Sequence, residues 1–337
     1  METIIADALA RDALAHFGLE HYSRVTFVKY RENHVYRAES AAGDSVAVRL
    51  HRPGYRSDAE ILSELRYVQR LAEAGLSVPR MLCALDGTLL CVVTRGEHTR
   101  RASVQAWIPN AQPSGDVERA FTGIDKPDDA LFLAIGQLLG ELHSAGQRLG
   151  MPPEFTRAPW DADALAGPTP LWGDPRALRS LSSEDARHIS SAMTRLHATL
   201  NAAPTDSAVY GVVHADATPE NVMVGEDRLT LIDFDDFGTG WFAFDVVTPL
   251  FFYTHHPRYA EYEAALLRGY EQRRPLRPDE KDLWEALLLA RGLTYLGWAS
   301  DRPGDPAATF IEEAVAPWVV RMAAAYANDR PMPWNAV

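Results

Sequence analysis

The sequence predicts an α+β fold in two parts. A small antiparallel sheet with one helix occupies residues 1–107, and a larger, mostly helical part follows over 108–337. Short β-branched runs dominate before residue 107, whereas apolar residues at helical spacing dominate after Pro109. A chain of 337 residues suffices for about two domains, or for one two-lobed unit with a large core. No internal repeat or low-complexity tract interrupts this division.

Taken in order, Met1 to Leu19 reads as an acidic amphipathic helix. Val25-Thr26-Phe27-Val28, His34 to Arg37 and Ser45 to Leu50 read as strands. Between the first two, Arg31-Glu32-Asn33-His34 forms a turn in which Asn33 tolerates left-handed geometry. A helix spans about Ser57 to Ala74, with Ile61, Leu65, Val68 and Leu71 on one face, and Gly75 ends it. A two-residue turn at Asp86-Gly87 would set Leu82 opposite Cys91. Cys83 and Cys91 then point to opposite faces, so no disulfide is expected and both pack as small apolar residues. Ala102 to Ile108 completes the sheet. Helical spacing then marks Asp128–Gln147, Ser183–Asn201, Tyr259–Arg273, Asp279–Ser300 and Pro306–Asn328. Asp279-Glu280 after Pro278 suits a helix start, with acids at the positive end of the dipole. Residues 150–182, rich in Pro, Trp and Gly, show no period. Leu283 to Trp298 is the most apolar late stretch, but it carries Arg291 mid-way and falls short of a membrane span.

One stretch carries chemistry: His214-Ala-Asp216-Ala-Thr-Pro-Glu-Asn221, then Leu231-Ile-Asp233-Phe-Asp235-Asp236. It sets an Asp at a loop tip after an apolar strand, an Asn five residues later, and a second apolar strand that delivers another Asp. Asp216 would accept the proton of an attacking hydroxyl. Asn221 offers a neutral amide oxygen to Mg²⁺, and Asp233 a charged carboxylate. Mg²⁺ takes a few hard protein oxygens and keeps water and phosphate for the rest, so a thin donor set suits it. Asp and Asn are also ordinary turn residues. Their order, pinned between two apolar strands, favours phosphoryl transfer from ATP.

These residues, together with Arg49-Leu-His-Arg-Pro-Gly54 and Trp107-Ile-Pro109, resemble the aminoglycoside/choline phosphotransferase family of kinase-like enzymes. The nearest branch holds homoserine kinases and stress-response serine/threonine kinases. The resemblance runs from about Val25 to Asp245 and implies a two-lobed, protein-kinase-like fold, with the sheet of the first lobe covering the nucleotide. It implies that Arg49 stands where many kinases place the phosphate-binding lysine, a workable exchange because guanidinium stays charged and forks across two oxygens. The family position for its acidic anchor is Glu64. Glu60, one turn earlier on the same side, is the other choice. Asn33 replaces a glycine-rich phosphate loop, and it equally serves as a plain hairpin residue. Gln105 to Pro109 resembles the hinge, where backbone groups of Trp107 and Ile108 would meet the adenine edge. The Trp107 ring either touches the base or packs in the core.

Two departures stand out. Ala215 replaces the usual Gly before the catalytic Asp, which restricts the backbone if that position needs positive φ. Asp235 replaces the Gly of Asp-Phe-Gly, either adding a carboxylate to magnesium or capping a turn. His214 is expected to hold the loop's shape. Asp245 either braces that loop from below or caps a helix. His255-His256 reads as a surface pair at a helix end, because no other metal ligand has suitable spacing.

A net charge of −13 argues against nucleic acid and anionic membrane as main partners. The opening helix is not a secretory leader, so a cytoplasmic, reducing compartment is expected, where ATP is present. The acceptor is then a small-molecule hydroxyl on an amino alcohol, amino acid or sugar. Trp160, Trp172, Asp174, Arg291 and Tyr295 either line its pocket or belong to the core. A protein serine/threonine kinase and a nucleotide-binding pseudokinase are the competing expectations.

Overall fold

The computed structural model describes residues 2–30 and 33–336. Arg31 and Glu32, in the turn expected to cover the nucleotide, lie outside the described residues. The chain divides into two compact units. One comprises Met1–Gln112, Met151–Thr156 and Val224–Asp235; the other comprises Pro113–Gly150, Arg157–Met223 and Asp236–Val337.

The first unit is built on β1 (Arg24–Tyr30), β2 (His34–Glu39), β3 (Ser45–Leu50), β4 (Met81–Leu82), β5 (Cys91–Arg95) and β6 (His98–Ala106). The first three strands form a meander, and β6 then pairs antiparallel with β3. A bulge between Phe27 and Lys29 shifts the β1 register. Helix α1 (Glu2–His16) lays Leu9, Ala10, Ala13 and Leu14 into the core that Tyr36, Val48, Leu50 and Val104 form on the sheet. Helix α2 (Asp58–Glu73) is capped by Ser57 with a reciprocal Glu60 box. It buries the expected Ile61, Leu65, Val68 and Leu71. Each such side chain contributes roughly 1.5–3 kcal/mol of burial.

The expected hairpin at Asp86-Gly87 does not form. β4 and β5 each pair with β6 instead, Leu82 against Val104 and Cys91 against Ala102. The intervening loop closes through the Ala84 amide donating to the Thr88 carbonyl, with Gly87 at φ 83°. β6 is nine residues long and presents two successive stretches of free edge, which a tight hairpin could not satisfy together. Both cysteines are free thiols; Cys91 is buried, but Cys83 is exposed and does not pack.

The chain leaves this unit near β7 (Gln112–Pro113). In the second unit, α3 (Val117–Phe121) precedes α4 (Asp129–Leu149), whose N-cap is Asp128. Two short turns, α5 (Ala162–Ala166) and a 3₁₀ segment at Pro175–Ala177, occupy the aperiodic stretch, and α6 (Ser183–Ala202) follows. β8 (Tyr210–Val213) leads to a loop and to β9 (Val222–Val224), within which the unit boundary falls. β10 (Leu229–Leu231) belongs to the first unit, and Gly225 donates to the Arg228 carbonyl in the turn before it. β11 (Gly238–Trp241) pairs antiparallel with β8, and α7 (Phe242–Phe251) follows. All ten residues of α7 are buried, so it carries no amphipathic stripe and the pattern of the sequence passes over it.

Then come α8 (Tyr259–Glu271), α9 (Pro278–Asp282) and α10 (Trp284–Ser300). The single helix expected over Asp279–Ser300 therefore breaks at Leu283. The last expected helix is also divided, into α11 (Pro306–Phe310), a π turn at Ile311–Val315 and α12 (Ala316–Ala327). Pro317 has no amide to donate, and its ring crowds the carbonyl four residues back, so the helix widens just before it. Among the described residues, no helix is long and apolar enough to cross a membrane.

Candidate active site

Within the first unit, β3 and α2 bring a buried cation to a buried acid. Arg49 Nη1 lies 2.5 Å from Glu64 Oε1. Glu60 is engaged by the Ser57 cap, which resolves the choice of anchor in favour of Glu64. The other Arg49 nitrogen, Nη2, lies 3.4 Å from Asp235 Oδ1 and 3.6 Å from Asp233 Oδ1. Burial opposes the charged guanidinium, but Glu64, Asp233 and Asp235 outweigh it and hold Arg49 more firmly protonated than a free arginine. Burial, reinforced by Arg49, keeps the neighbouring His51 imidazole neutral well below its usual range; His51 Nε2 meets Ser103 Oγ at 2.9 Å.

Asn33 donates from Nδ2 to Asp235 Oδ1 at 3.3 Å and accepts the Arg52 amide at its Oδ1. Asn33 therefore links the start of β2 to the acid after β10. Asp235 is buried among Arg49 and Asn33. Asp233, with a side chain 33% exposed, takes the left-handed backbone at φ 65° and meets Lys29 Nζ at 3.5 Å. Lys29 had no signal in the sequence; the β1 bulge beside it re-aims the strand locally. Trp107 and Ile108 are half-buried, so neither is core. The Trp107 amide donates to Ser45 O, and the Arg37 guanidinium stands 5.0 Å from the indole centroid.

Within the second unit, the loop after β8 is held from below by α7. Asp245 Oδ2 accepts the His214 amide at 2.7 Å, and its Oδ1 accepts the Ala215 amide at 2.6 Å. His143 on α4 donates from Nε2 to Asp245 Oδ2 at 3.0 Å, while its Nδ1 accepts from the Tyr270 hydroxyl at 2.8 Å. Both nitrogens are thus satisfied by one neutral tautomer. Burial lowers the His143 pKa accordingly. Burial works against the Asp245 carboxylate, yet the bonds from His143 and the His214 amide outweigh it and hold the acid below its usual range. Of the two readings of Asp245, brace or cap, the brace is the one found. A lone histidine inside an amphipathic helix gives no sequence signal, so His143 was missed.

This clamp holds Ala215 at φ 67°, the positive value its position required. The next residue, Asp216, donates its amide to His214 Nδ1 at 3.2 Å, which gives His214 the loop-shaping part expected of it. Asn221 Nδ2 donates to both the backbone oxygen and Oδ2 of Asp216, each at 2.9 Å. The amide nitrogen is therefore committed to Asp216, and the oxygen on the opposite side of the amide is the atom available to a cation. Arg291 from α10, fully buried, places Nη2 2.5 Å from Asp216 Oδ1 and Nη1 3.0 Å from the Ala215 carbonyl.

Arg291 thus lies behind the loop and does not line an open pocket. Its signal was a charge in the middle of an apolar helix, which demands a buried partner. Trp160 is core, and Trp172 Nε1 donates to Asp236 Oδ1 at 3.2 Å. The histidine pair departs from expectation: His256 is buried against Tyr262, and His255 is half-buried against Phe121. Both follow α7, whose apolar burial draws the chain after it inward. Among the described residues, no cluster of three or more His, Cys, Asp or Glu is placed to hold a metal.

Known proteins resemble this chain along most of its length. A homoserine kinase of Granulibacter bethesdensis is 29% identical over 310 residues, covering 87% of this chain and 88% of that protein. An amicoumacin kinase of Bacillus subtilis is 25% identical over 246 residues, covering 73% of this chain and 66% of that one. Among solved structures, a microcompartment-associated aminopropanol kinase superposes with a TM-score of 0.81 at 25% identity, covering 96% of this chain and 99% of that one. The α+β, kinase-like fold and the homoserine-kinase side of the resemblance agree with these. The sequence pattern of the phosphotransferase enzyme family matches residues 26–281, which include Asn33, Arg49, Glu64, Asp216 and Asp233, and the chain belongs to that family.

Proposed function

We propose that this phosphotransferase moves the γ-phosphoryl group of ATP to a hydroxyl of a small molecule, with Asp216 as the group that orients and deprotonates the acceptor. The observation that carries this reading is the Asp216 carboxylate itself. It stands on a clamped loop with one oxygen engaged by Arg291 and the other by Asn221. A carboxylate fixed in this way is ready to take a proton without first paying to order itself.

Arg49 binds and neutralises the phosphates that are not transferred, and Glu64 keeps its guanidinium aimed. Asn33 contributes its side-chain amide to the nucleotide site, and the backbone of Trp107 and Ile108 meets the adenine edge. The amide oxygen of Asn221 and the carboxylate of Asp233 would be the principal ligands of Mg²⁺, with Asp235 auxiliary. Bound Mg²⁺ supplies charge neutralisation across the phosphates. The homoserine, amicoumacin and aminopropanol kinases among its relatives favour a small acceptor for this chain over a protein one. An ATP-using enzyme with two free thiols fits the cytoplasm.

The test is ADP release from Mg·ATP with pooled hydroxyl metabolites: homoserine, aminopropanol, choline, sugars and aminoglycosides. A pool-dependent signal is expected. Asp216→Asn should retain Mg·ATP binding and lose on the order of 10²–10⁴ in turnover, and Asp233→Ala should lose turnover altogether. Wild-type turnover by Asp216→Asn would overturn the assignment. Activity only on Ser or Thr of proteins would replace the acceptor class.

A further inference from the structure

We infer that Arg291 is a positioning residue for phosphoryl transfer, fixing the plane of the Asp216 carboxylate from behind the loop. The inference rests on Asp216 being the proton acceptor, as proposed above, and concerns side chains of the second unit alone.

A carboxylate turns easily about its last side-chain bond, because that torsion has a broad, roughly two-fold minimum. One anchor leaves it free to swing; two anchors on different oxygens fix its plane. Asp216 has two. Arg291 Nη2 holds Oδ1 at 2.5 Å, and Asn221 Nδ2 holds Oδ2 at 2.9 Å. If Asn221 also serves a cation, as proposed, Arg291 is the anchor that belongs to the loop alone, through Asp216 and the Ala215 carbonyl.

The same guanidinium sets the backbone beneath the carboxylate. Its Nη1 donates to the carbonyl of Ala215, the residue at φ 67°, whose amide is taken by Asp245. The two polar groups of the left-handed residue are therefore bound by different helices, α10 and α7. Arg291 is itself immobilised. The guanidinium carbon stands 4.5 Å from the Tyr295 ring and 5.1 Å from the Trp172 ring. Those faces stabilise the cation and restrict the long side chain.

A stability role explains this arrangement poorly. A fully buried arginine pays heavily for lost hydration, and buried ion pairs are often neutral in stability beside apolar replacements of similar volume. The fork geometry, by contrast, suits holding a side-chain oxygen and a backbone oxygen at once. Lysine can offer a point charge to Asp216, but cannot hold both groups in fixed planes.

The experiment is a double-mutant cycle between Arg291 and Asp216, read as ADP release from Mg·ATP with the metabolite pool named above. Arg291→Met is expected to lower kcat roughly 10- to 100-fold, with KM for ATP and the Mg·ATP thermal shift little changed. In the Asp216→Asn background, the same change should cost less than about 3-fold, because its effect passes through the carboxylate. Arg291→Lys should fall between wild type and Arg291→Met. Equal losses in both backgrounds, or an unchanged kcat in Arg291→Met, would overturn the proposal.

Should Arg291→Met fail to fold, judged by the lost thermal shift, Arg291→Lys runs the same cycle and the same two outcomes decide. An Asp216→Asn enzyme of wild-type rate would instead sink the underlying reading of Asp216, so the two failures are separable.

Discussion

Ala215 sits in left-handed backbone with its side chain wholly buried, and three effects compete there when it is replaced by glycine. Left-handed geometry costs a non-glycine residue about 1–2 kcal/mol. Glycine returns that cost but adds about 0.5–1 kcal/mol of unfolded-chain entropy and removes a buried methyl worth roughly 0.8 kcal/mol. The terms nearly cancel. Ala215→Gly should therefore shift stability by less than about 1 kcal/mol and keep turnover. Ala215→Val puts a β-branched side chain at positive φ in a filled space, and should lose more than about 2 kcal/mol together with turnover. Denaturant melts and ADP release check both; a stable, active Ala215→Val would show that the clamp on this loop is slack. The positive φ also explains why the position wants glycine, something the motif alone left open.

At the scale of elements, α4 and α8 cross with backbone almost touching backbone. A Cβ built on Gly136 would strike the Leu266 carbonyl, and one built on Gly269 would strike that of Leu133. Alanine gains about 1 kcal/mol of helix propensity over glycine, yet neither carbonyl can move without its helix. Gly269→Ala should destabilise by about 3 kcal/mol, visible as a lower urea midpoint. Because α4 carries His143 and α8 carries Tyr270, the same variant should also loosen the Asp245 brace and lower kcat. Full stability in Gly269→Ala would mean that the helices readily separate. The helices themselves were legible, since α2, α4, α6 and α8 each fall within a few residues of their expected spans. The glycines that set how closely two of them pack gave no signal, because periodicity describes one helix at a time.

For the molecule as a whole, buried imidazoles set the response to acid. Burial lowers the pKa of His51, His143, His255 and His256. The unfolded chain protonates its histidines near pH ~6.5, while the folded chain resists. Their contribution to stability is therefore complete above that pH and declines as pH falls toward the lower folded-state values. The melting temperature should fall between pH 7 and pH 5, before the depressed Asp245 carboxylate adds its own loss nearer pH ~4. His143→Gln should flatten the slope of stability against pH over that window. A melting temperature that stays level from pH 7 to 5 would contradict the neutral His143 assigned from its two hydrogen bonds.

The sequence by itself determined the α+β fold class, most helices and strands and the family, and it singled out Asp216, Asn221 and Asp233 as the candidate site residues. All of these depend on residue type and spacing along one stretch of chain. Tertiary structure decided the rest. It chose Glu64 over Glu60 for Arg49, because Glu60 is engaged by the Ser57 cap. It set β4 and β5 on the edge of β6, where unpaired backbone needed partners. It brought His143, Asp245 and Arg291 to one loop from helices remote in sequence. Long-range contacts of this kind leave no period and no motif. A buried charge must be paired, but its partner is named only when the chain has folded around it.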